Sequence, residues 1–513
     1  SMEVRAQHLS ELEPTFSRFF ETMDARTLMH QAQDRGIMLM AFNTVGELIT
    51  DPQLAGEGFF REVPCGDRTL VEAGPPYRFA TGLPHHQTVP PLGRYRRQMP
   101  VSETQARAGT RGGEFPLSGI RVVDFTWVIA GPLMTKWLAA LGAEVIKIER
   151  FKTGTALNRG NMSPDSVVSF TNLNVGKRSL ALDLGFEESR EIVRDLVRQS
   201  DVVVDNFSPD VLPRWGFSPE SLAVINPRIV SMSMPALGST GPHRGYKGLG
   251  SYFQARAGLD GLIGYSHQDI VDVGFAYADT TCNASHATIA LLAALVRRDA
   301  TGRGEHIELR QLESSINFLG PAVLEYSSHG VEPARMGSRS TYAAPHGIYP
   351  CAGDDQWCVI TVFDDLEWRA LCASFGHKEW TYDPRFRSVE DRKVNENELD
   401  ALISGWTRSR PPETVESILQ AAGVGAGMVQ NAAQLIDEDP QIAHRKFYAR
   451  FDSGMVVEGV PFTLCESPAN IVEHLPTLGE DTGWVLRERL SLDENRIAEL
   501  IKIGAVGEPA VRA

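Results

Sequence analysis

Residues 119–150 read GIRVVDFTWVIAGPLMTKWLAALGAEVIKIER, and the fold class follows from this run. Residues 120–125 (IRVVDF) have the β-branched, apolar composition of a strand, residues 133–141 the apolar spacing of a helix, and residues 143–148 (AEVIKI) a second strand. The alternation continues outward. Residues 186–199 are amphipathic at the helical period, and residues 201–205 (DVVVD) and 228–232 read as further strands. Strands alternating with helices predict a parallel sheet covered on both faces, so the large domain is expected to be α/β, doubly wound and Rossmann-like. Such sheets take ligands beyond the carboxyl ends of their strands. Arg150 and Asn206 stand just past two strand ends and become candidate ligand contacts, although solvated loop residues would suit the same places.

Composition bounds the function classes. At 513 residues, with 42% hydrophobic and 22% charged content, the chain is too long for one compact core and too apolar for wholesale disorder. Fifty basic against sixty-five acidic residues give a net charge of −15, which disfavours nucleic acid and anionic membrane as partners. Any anionic ligand must be held by local cations. The six cysteines form no C-x-x-C pair and read as reduced, mostly buried thiols of a cytoplasmic protein. The longest strongly apolar run, residues 287–296, is about half of a membrane span, and no signal-peptide pattern opens the chain. Ser1 before Met2 reads as a leftover of expression, with natural numbering expected to begin at Met2. No H-E-x-x-H or Cys/His ligand cluster is present, so no metal is expected.

The dinucleotide NAD is the obvious ligand of a Rossmann-like sheet, and Glu149 could imitate its ribose-binding acid. The first turn, residues 126–132 (TWVIAGP), has one glycine where that fingerprint needs three, so NAD is rejected. The run Gly423-Val424-Gly425-Ala426-Gly427 follows no clear strand and reads as a turn.

An internal repeat is the most unusual feature. Asp51-Pro52-Gln53-Leu54-Ala55, followed by Phe59-Phe60, recurs as Asp439-Pro440-Gln441-Ile442-Ala443, followed by Phe447-Tyr448, at an offset of 439 − 51 = 388. Asn43 precedes Asn431 by the same interval, and Pro76-Tyr77 and Leu92-Gly93 match Pro461-Phe462 and Leu478-Gly479. The N-terminal unit is therefore expected to be a second copy of the chain's tail, joined to the body by a linker at residues 98–114.

Asp279, in Phe275-Ala276-Tyr277-Ala278-Asp279-Thr280-Thr281, precedes a helix expected over residues 280–298 and stopping before Gly302. It suits an N-cap, with Arg297 and Arg298 complementing the other end of the dipole. It also suits a nucleophile, since a helix N-terminus keeps a carboxylate ionised.

A family pattern separates these readings. Residues 119–150 closely resemble the opening of the family III CoA-transferases, the formyl-CoA and carnitine CoA-transferase family. Further resemblances follow in order: Lys177-Arg178-Ser179-Leu180-Ala181-Leu182-Asp183, Asp205-Asn206-Phe207 with Arg214-Trp215-Gly216, Gly241-Pro242, Ala278-Asp279, and Thr301-Gly302-Arg303-Gly304. The resemblance covers residues 117–490. It implies an interlocked-ring dimer or hetero-oligomer in which Asp279 attacks an acyl-CoA thioester. An acyl-aspartyl anhydride and an aspartyl-CoA thioester follow, and CoA passes to a second small carboxylic acid without ATP or metal. Acyl-CoA is then a co-substrate. The resemblance marks Arg150, Asn206 and Arg214 as contacts of the CoA nucleotide, with Trp215 in place of an apolar adenine contact and Ile129 in place of a polar residue. Lys247 lies beside a further CoA position, which aligns with Gly248. The glycine loop of the formyl-CoA branch has no counterpart in residues 336–346, where Tyr342 and His346 are candidates for the acyl pocket.

The domain expectation is residues 1–100 as the partial repeat, 101–116 as linker and 117–325 as the large CoA-binding domain. A smaller α+β domain is expected at 326–437, with 438–513 returning to the large domain. Two rivals stand beside transfer. An α-methylacyl-CoA racemase would need a histidine in a G-H-D motif, where this chain has Gly248-Leu249-Gly250. A noncatalytic subunit is suggested by the repeat, which holds no equivalent of Asp279.

Overall fold

The computed structural model describes residues 7–82, 114–151, 170–274, 276–452, 454–467, 469, 471 and 474–507. The chain forms two compact units, one of residues 1–261, 271–333 and 449–513, the other of residues 262–270 and 334–448. The linker expected at 98–114 falls outside the described residues except for Glu114, and so does the Leu92-Gly93 half of the repeat.

In the first unit the N-terminal segment runs through helices Leu9–Phe20, Ala25–Asp34, Val45–Ile49 and Pro52–Gly56. An antiparallel hairpin follows, β1 (Phe60–Cys65) and β2 (Arg68–Ala73), and then β3 (Tyr77–Phe79). The body alternates β4 (Arg121–Asp124), helix Ala130–Ala140, β5 (Glu144–Glu149), β6 (Arg178–Ala181), helix Glu187–Arg198, β7 (Val202–Asp205), β8 (Val230–Ser233) and β9 (Glu305–Leu309). These make one seven-stranded sheet, ordered β3-β9-β8-β7-β4-β5-β6. Every pair in it is parallel except β3 with β9. The strand order reverses between β4 and β7, which opens a crevice at their carboxyl ends.

The central strands are buried on both faces, so they read in sequence as short apolar runs. Helices Ala130–Ala140 and Ala284–Thr301 pack one face through Leu133, Leu138, Leu291 and Leu295. Helices Glu187–Arg198 and Glu494–Ile503 pack the other through Ile192, Leu196, Ile497 and Leu500. β6 and β9 are polar enough, in Arg178-Ser179 and Glu305-His306, to have escaped the reading of strands.

A charge pair lies wholly inside this core. Lys177 Nζ is 3.2 Å from Asp124 Oδ2, and neither side chain is exposed. Lys177 also donates to the carbonyl of Pro132 at 2.9 Å and to Asn174 Oδ1 at 2.8 Å. Asp124 accepts from the Thr126 amide and hydroxyl and from the Thr135 hydroxyl. Burial pulls Lys177 down to about 7, and the neighbouring cations Lys177 and Lys147 hold Asp124 below the usual carboxylate range against its own desolvation. The network ties the end of β4 to the start of its helix and so fixes the intervening turn.

The second unit carries an antiparallel sheet of β10 (His346–Pro350), β11 (Trp357–Thr361) and β12 (Gly425–Met428). Its core includes Tyr349, Trp368, Phe386, Leu399 and Ile403. The run 423–427, expected as a turn, enters a strand at Gly425 (Gly425–Met428), because β11 supplies the partner that mostly glycine and alanine residues do not announce.

The repeat extends further than its sequence shows. Helices Leu9–Phe20 and Glu396–Thr407 are related by 396 − 9 = 387 at both ends, and helices Ala25–Asp34 and Pro412–Ala421 by the same 387. Gly36 and Gly423, again 387 apart, both end a helix at positive φ, 73° and 79°. Thr44 and Asn431 cap the next helix with equivalent capping boxes, so Thr44 rather than Asn43 is the partner of Asn431. One extra residue in helix Ala432–Asp437 then moves the offset to 388, where Asp51 and Asp439 cap matching Pro-led helices. Hairpins close both copies, β1-β2 and the pair β13 (Tyr448–Arg450) and β14 (Val456–Glu458). The copies differ in cover: Leu12 and Phe16 are exposed, whereas Leu399 and Ile403 at the same places are fully buried.

Removing one partner of a buried charge pair leaves the other uncompensated. Lys177→Met is expected to cost about 3–5 kcal/mol in urea unfolding, with part of the loss returned in the double variant with Asp124→Asn. Equal stability of Lys177→Met and the parent would show that the pair does not hold the turn.

Candidate active site

The crevice at the strand reversal is lined by the loops that leave β4 and β7. Asn206 joins them: its Oδ1 accepts from the Trp127 amide at 2.9 Å and its Nδ2 donates to the Trp127 carbonyl at 2.8 Å. Held from one side by Asn206 and from below by Asp124, the β4 turn puts Val128 at φ 66°, an unfavourable place for a β-branched residue. Gly131 is required in that turn, because a Cβ there would lie 2.4 Å from the Thr126 Cβ. A cavity of 350 Å³ opens above these loops, lined among others by Trp127, Ile129, Phe207, Lys247, Asp279 and Gln311.

Asp279 does not cap a helix. Helical backbone begins at residue 277, and Asp279–Asn283 form a widened, π-helical turn that runs into helix Ala284–Thr301. The turn sets Asn283 beside Asp279, and Asn283 Nδ2 donates to Asp279 Oδ1 at 2.9 Å. Gln311 stands behind Asn283 at 3.4 Å and donates to the Met234 carbonyl at 2.6 Å. Asn283 Oδ1 is buried with no hydrogen-bond partner among the described residues. Asp279 is 4% exposed, and burial pushes its carboxyl up to about 6 against the lowering pull of Asn283. A helix end is expected to keep a carboxylate ionised; at Asp279 desolvation acts in the opposite direction and prevails. The carboxylate remains mostly ionised at neutral pH. Gly250 presses on it, since a Cβ there would lie 2.8 Å from Asp279 Oδ2 and 2.4 Å from the Ala276 Cβ.

Of the residues singled out in sequence, Ile129, Asn206, Lys247 and Asp279 meet at this cavity, and Gly248 joins Lys247. Arg150, Arg214 and Trp215 do not line it. Arg150 is exposed at the end of β5, one strand away from the reversal. Arg214 is exposed and donates to the Asp210 carbonyl. Trp215 meets Phe207 edge-on at 5.9 Å, one ring removed from the cavity. Tyr342 and His346 belong to the second unit, where both rings adjoin Phe363 and His346 Nδ1 donates to the Ser338 carbonyl at 2.5 Å. Sequence reasoning missed Trp127, Val128, Gln311 and Asn283. Only Asn283 carried a signal, its i+4 spacing from Asp279.

No histidine is among the described residues that line the cavity. His243 is buried, its Nδ1 accepts from Arg256 at 3.1 Å, and burial pushes it down to about 4, which disarms it as a proton carrier for a racemase. Among the described residues no group of three His, Cys, Asp or Glu could hold a metal, and no helix is long and apolar enough to cross a membrane.

Two substitutions probe this geometry. Asn283→Ala removes the donor that lowers the Asp279 carboxyl, so that group is expected to titrate above its value of about 6, as followed by carbon NMR. An unchanged titration would mean that Asn283 does not stabilise the carboxylate. Gly250→Ala forces a methyl against Ala276 and is expected to cost about 1–3 kcal/mol in thermal unfolding.

The model of CoA-transferase family III matches residues 117–482. The probable CoA-transferase Rv1866 of Mycobacterium tuberculosis is 31% identical over 79% of this chain, which spans about half (52%) of that relative's length. The acetyl-CoA:oxalate CoA-transferase of Acetobacter aceti is 33% identical over 67% of this chain and 88% of its own. A solved CAIB/BAIF family protein from Brucella suis superposes with a TM-score of 0.68 at 28% identity, covering 74% of this chain and all (100%) of the other. With the family match spanning most of the body that builds the cavity, the chain belongs to CoA-transferase family III.

Proposed function

We propose that this chain moves coenzyme A from an acyl-CoA donor to a small carboxylic acid, with Asp279 as the nucleophile. One observation carries the reading: a buried carboxylate shares a cavity at the strand reversal with Ile129, Asn206 and Gly248, positions that the family resemblance aligns with CoA contacts, and with Lys247 beside the last of them. The walls fit the ligand. Trp127, Ile129 and Phe207 offer apolar surface to the long arm of CoA, and Lys247 offers a cation. Arg150 and Arg214, exposed outside the cavity, suit the phosphates of the nucleotide end, with Trp215 at the adenine. Tyr342 and His346 are proposed for the acyl group.

The chemistry follows from one carboxylate. Asp279 attacks the thioester carbonyl, the C–S bond breaks, and a mixed anhydride and CoA thiolate result. The thiolate then attacks the aspartyl carbonyl, releasing the donor acid and leaving an aspartyl-CoA thioester. The acceptor carboxylate attacks that thioester, the aspartyl C–S bond breaks, and a second mixed anhydride and CoA thiolate result; the thiolate then attacks the acceptor's acyl carbonyl, forming the new acyl-CoA and releasing Asp279 as a carboxylate. One thioester and one carboxylate are exchanged for another pair, so the overall free-energy change is small. Asn283 holds one carboxylate oxygen and leaves the other to react. The relatives include transferases named for oxalate and for D-citramalate, which supports a small organic acid as acceptor. An interlocked homodimer or hetero-oligomer, cytoplasmic location, and large and small domains over 117–325 and 326–437 complete the proposal.

Incubation with a panel of acyl-CoAs and hydroxylamine is expected to leave a hydroxamate on Asp279, detected by mass spectrometry and absent in Asp279→Asn. Turnover should fall roughly a thousandfold or more in that variant. Retention of full turnover would refute the nucleophile. Because the carboxylate is the reactive form, the rate is expected to rise with pH through about 6. Stability runs the other way: a raised carboxyl destabilises the fold above about pH 6, and this cost disappears as pH falls towards 4. Asp279→Asn should therefore unfold at higher temperature than the parent at pH 8, by up to about 3 kcal/mol, with the gap closing between pH 6 and pH 4.

A further inference from the structure

The family match begins at residue 117, yet residues far upstream reach the cavity. Gly36 and Met38 line it together with Asp279 and Lys247. The segment that carries them is tied into the body by buried bonds. Asp51 pairs with Arg256 at 2.7 Å, each 2% exposed. The Gln53 side chain donates to the Leu237 and Thr240 carbonyls and accepts from the His243 amide. Asn43 donates to the Arg256 carbonyl at 2.9 Å, and β3 adds an antiparallel edge to β9.

Gln33 acts directly at the cavity wall. Its Oε1 accepts from the Lys247 amide at 2.9 Å, and its Nε2 donates to the Lys247 carbonyl at 2.8 Å and to the Leu39 carbonyl at 3.0 Å. One amide thus holds the backbone of Lys247 at both polar groups and links it to the extended segment that carries Met38. Met40 packs from behind, near enough that a Cβ on Gly248 would lie 3.3 Å from its Cε.

The repeat shows that this arrangement has been adapted to the body it meets. Gln420, 387 residues on, makes the equivalent bond to the Ala426 carbonyl at 2.8 Å, yet it is exposed while Gln33 is buried. Positions 38 and 40 are methionine where the second copy has Gly425 and Gly427. Methionine fills an irregular apolar wall that glycine would leave open.

We infer that the N-terminal segment completes the thioester end of the CoA site within the same chain. Met38 walls the channel for the CoA arm, and Gln33 is a positioning residue that sets Lys247. This rests on the reading of the Asp279 cavity as the CoA site. It gives the repeat a role at the site, and it locates a determinant of CoA affinity outside the family body.

The test is titration calorimetry of the full chain with free coenzyme A, comparing the parent, Met38→Gly and Gln33→Ala, with melting temperatures taken alongside. Met38→Gly copies the second repeat and removes a partly exposed side chain, so its fold is expected to survive. Each variant should bind coenzyme A about five- to tenfold more weakly, roughly the loss of one apolar contact or one hydrogen-bonded clamp. In turnover, KM for acyl-CoA should rise by the same factor, while KM for the acid and kcat stay within about twofold. A merely structural Gln33 would lower the melting temperature without that split. If the parent binds coenzyme A and both variants bind it equally well, the inference is overturned and the reading of Asp279 stands. If the parent binds no coenzyme A, the reading of the cavity itself falls and this inference with it.

Discussion

The turn between β4 and its helix depends on a charge pair that has no contact with solvent. Asp124 and Lys177 are each satisfied by several further bonds, to Thr126, Thr135, Pro132 and Asn174, and this saturation makes a buried pair tolerable. Asp124 ends β4 and Lys177 directly precedes β6, so the pair also sets how β4 and the start of β6 meet. Everything at the cavity floor inherits that constraint. Val128 stays at positive φ, Trp127 offers both backbone groups to Asn206, and the crevice at the strand reversal is held open rather than filled.

Asp279 sits under the opposite kind of constraint. The hydrogen bond from Asn283 does not offset its desolvation, and the backbone of Gly250 comes so close that a Cβ there would lie 2.8 Å from Asp279 Oδ2. A partly frustrated carboxylate of this sort is destabilising for the fold and useful for attack on a carbonyl, since poor solvation raises its basicity and reactivity. Asn283 Oδ1, buried and without a hydrogen-bond partner among the described residues, is a second unsatisfied group beside it.

The two copies of the repeat show one local fold meeting two environments. Helix lengths, caps and the glutamine-to-carbonyl bond recur because they depend on neighbours within a few residues. Burial differs because it depends on the rest of the chain. Leu399 and Ile403 join the core of the second unit, whereas Leu12 and Phe16 meet no such sheet among the described residues. Before Asn43 the copies share helix boundaries but few side chains, so their likeness lies in the backbone and not in residue identity.

Local sequence determined the elements of the body and the register of the repeat. Strand and helix periods in residues 119–148, the cap residues at 51 and 439, and the stop at Gly302 each act within a turn or two of chain, so they are legible without knowledge of the fold. The resemblance placed Asp279, Asn206 and Lys247 as candidates one by one. Only the tertiary structure decided that these three share a cavity while Arg150, Arg214 and Trp215 stand outside it, that burial outweighs the helix end at Asp279, and that Gln33 reaches Lys247 across 214 positions of sequence. Desolvation and long-range hydrogen bonds are properties of what surrounds a residue in space, and no period or spacing along the chain encodes them.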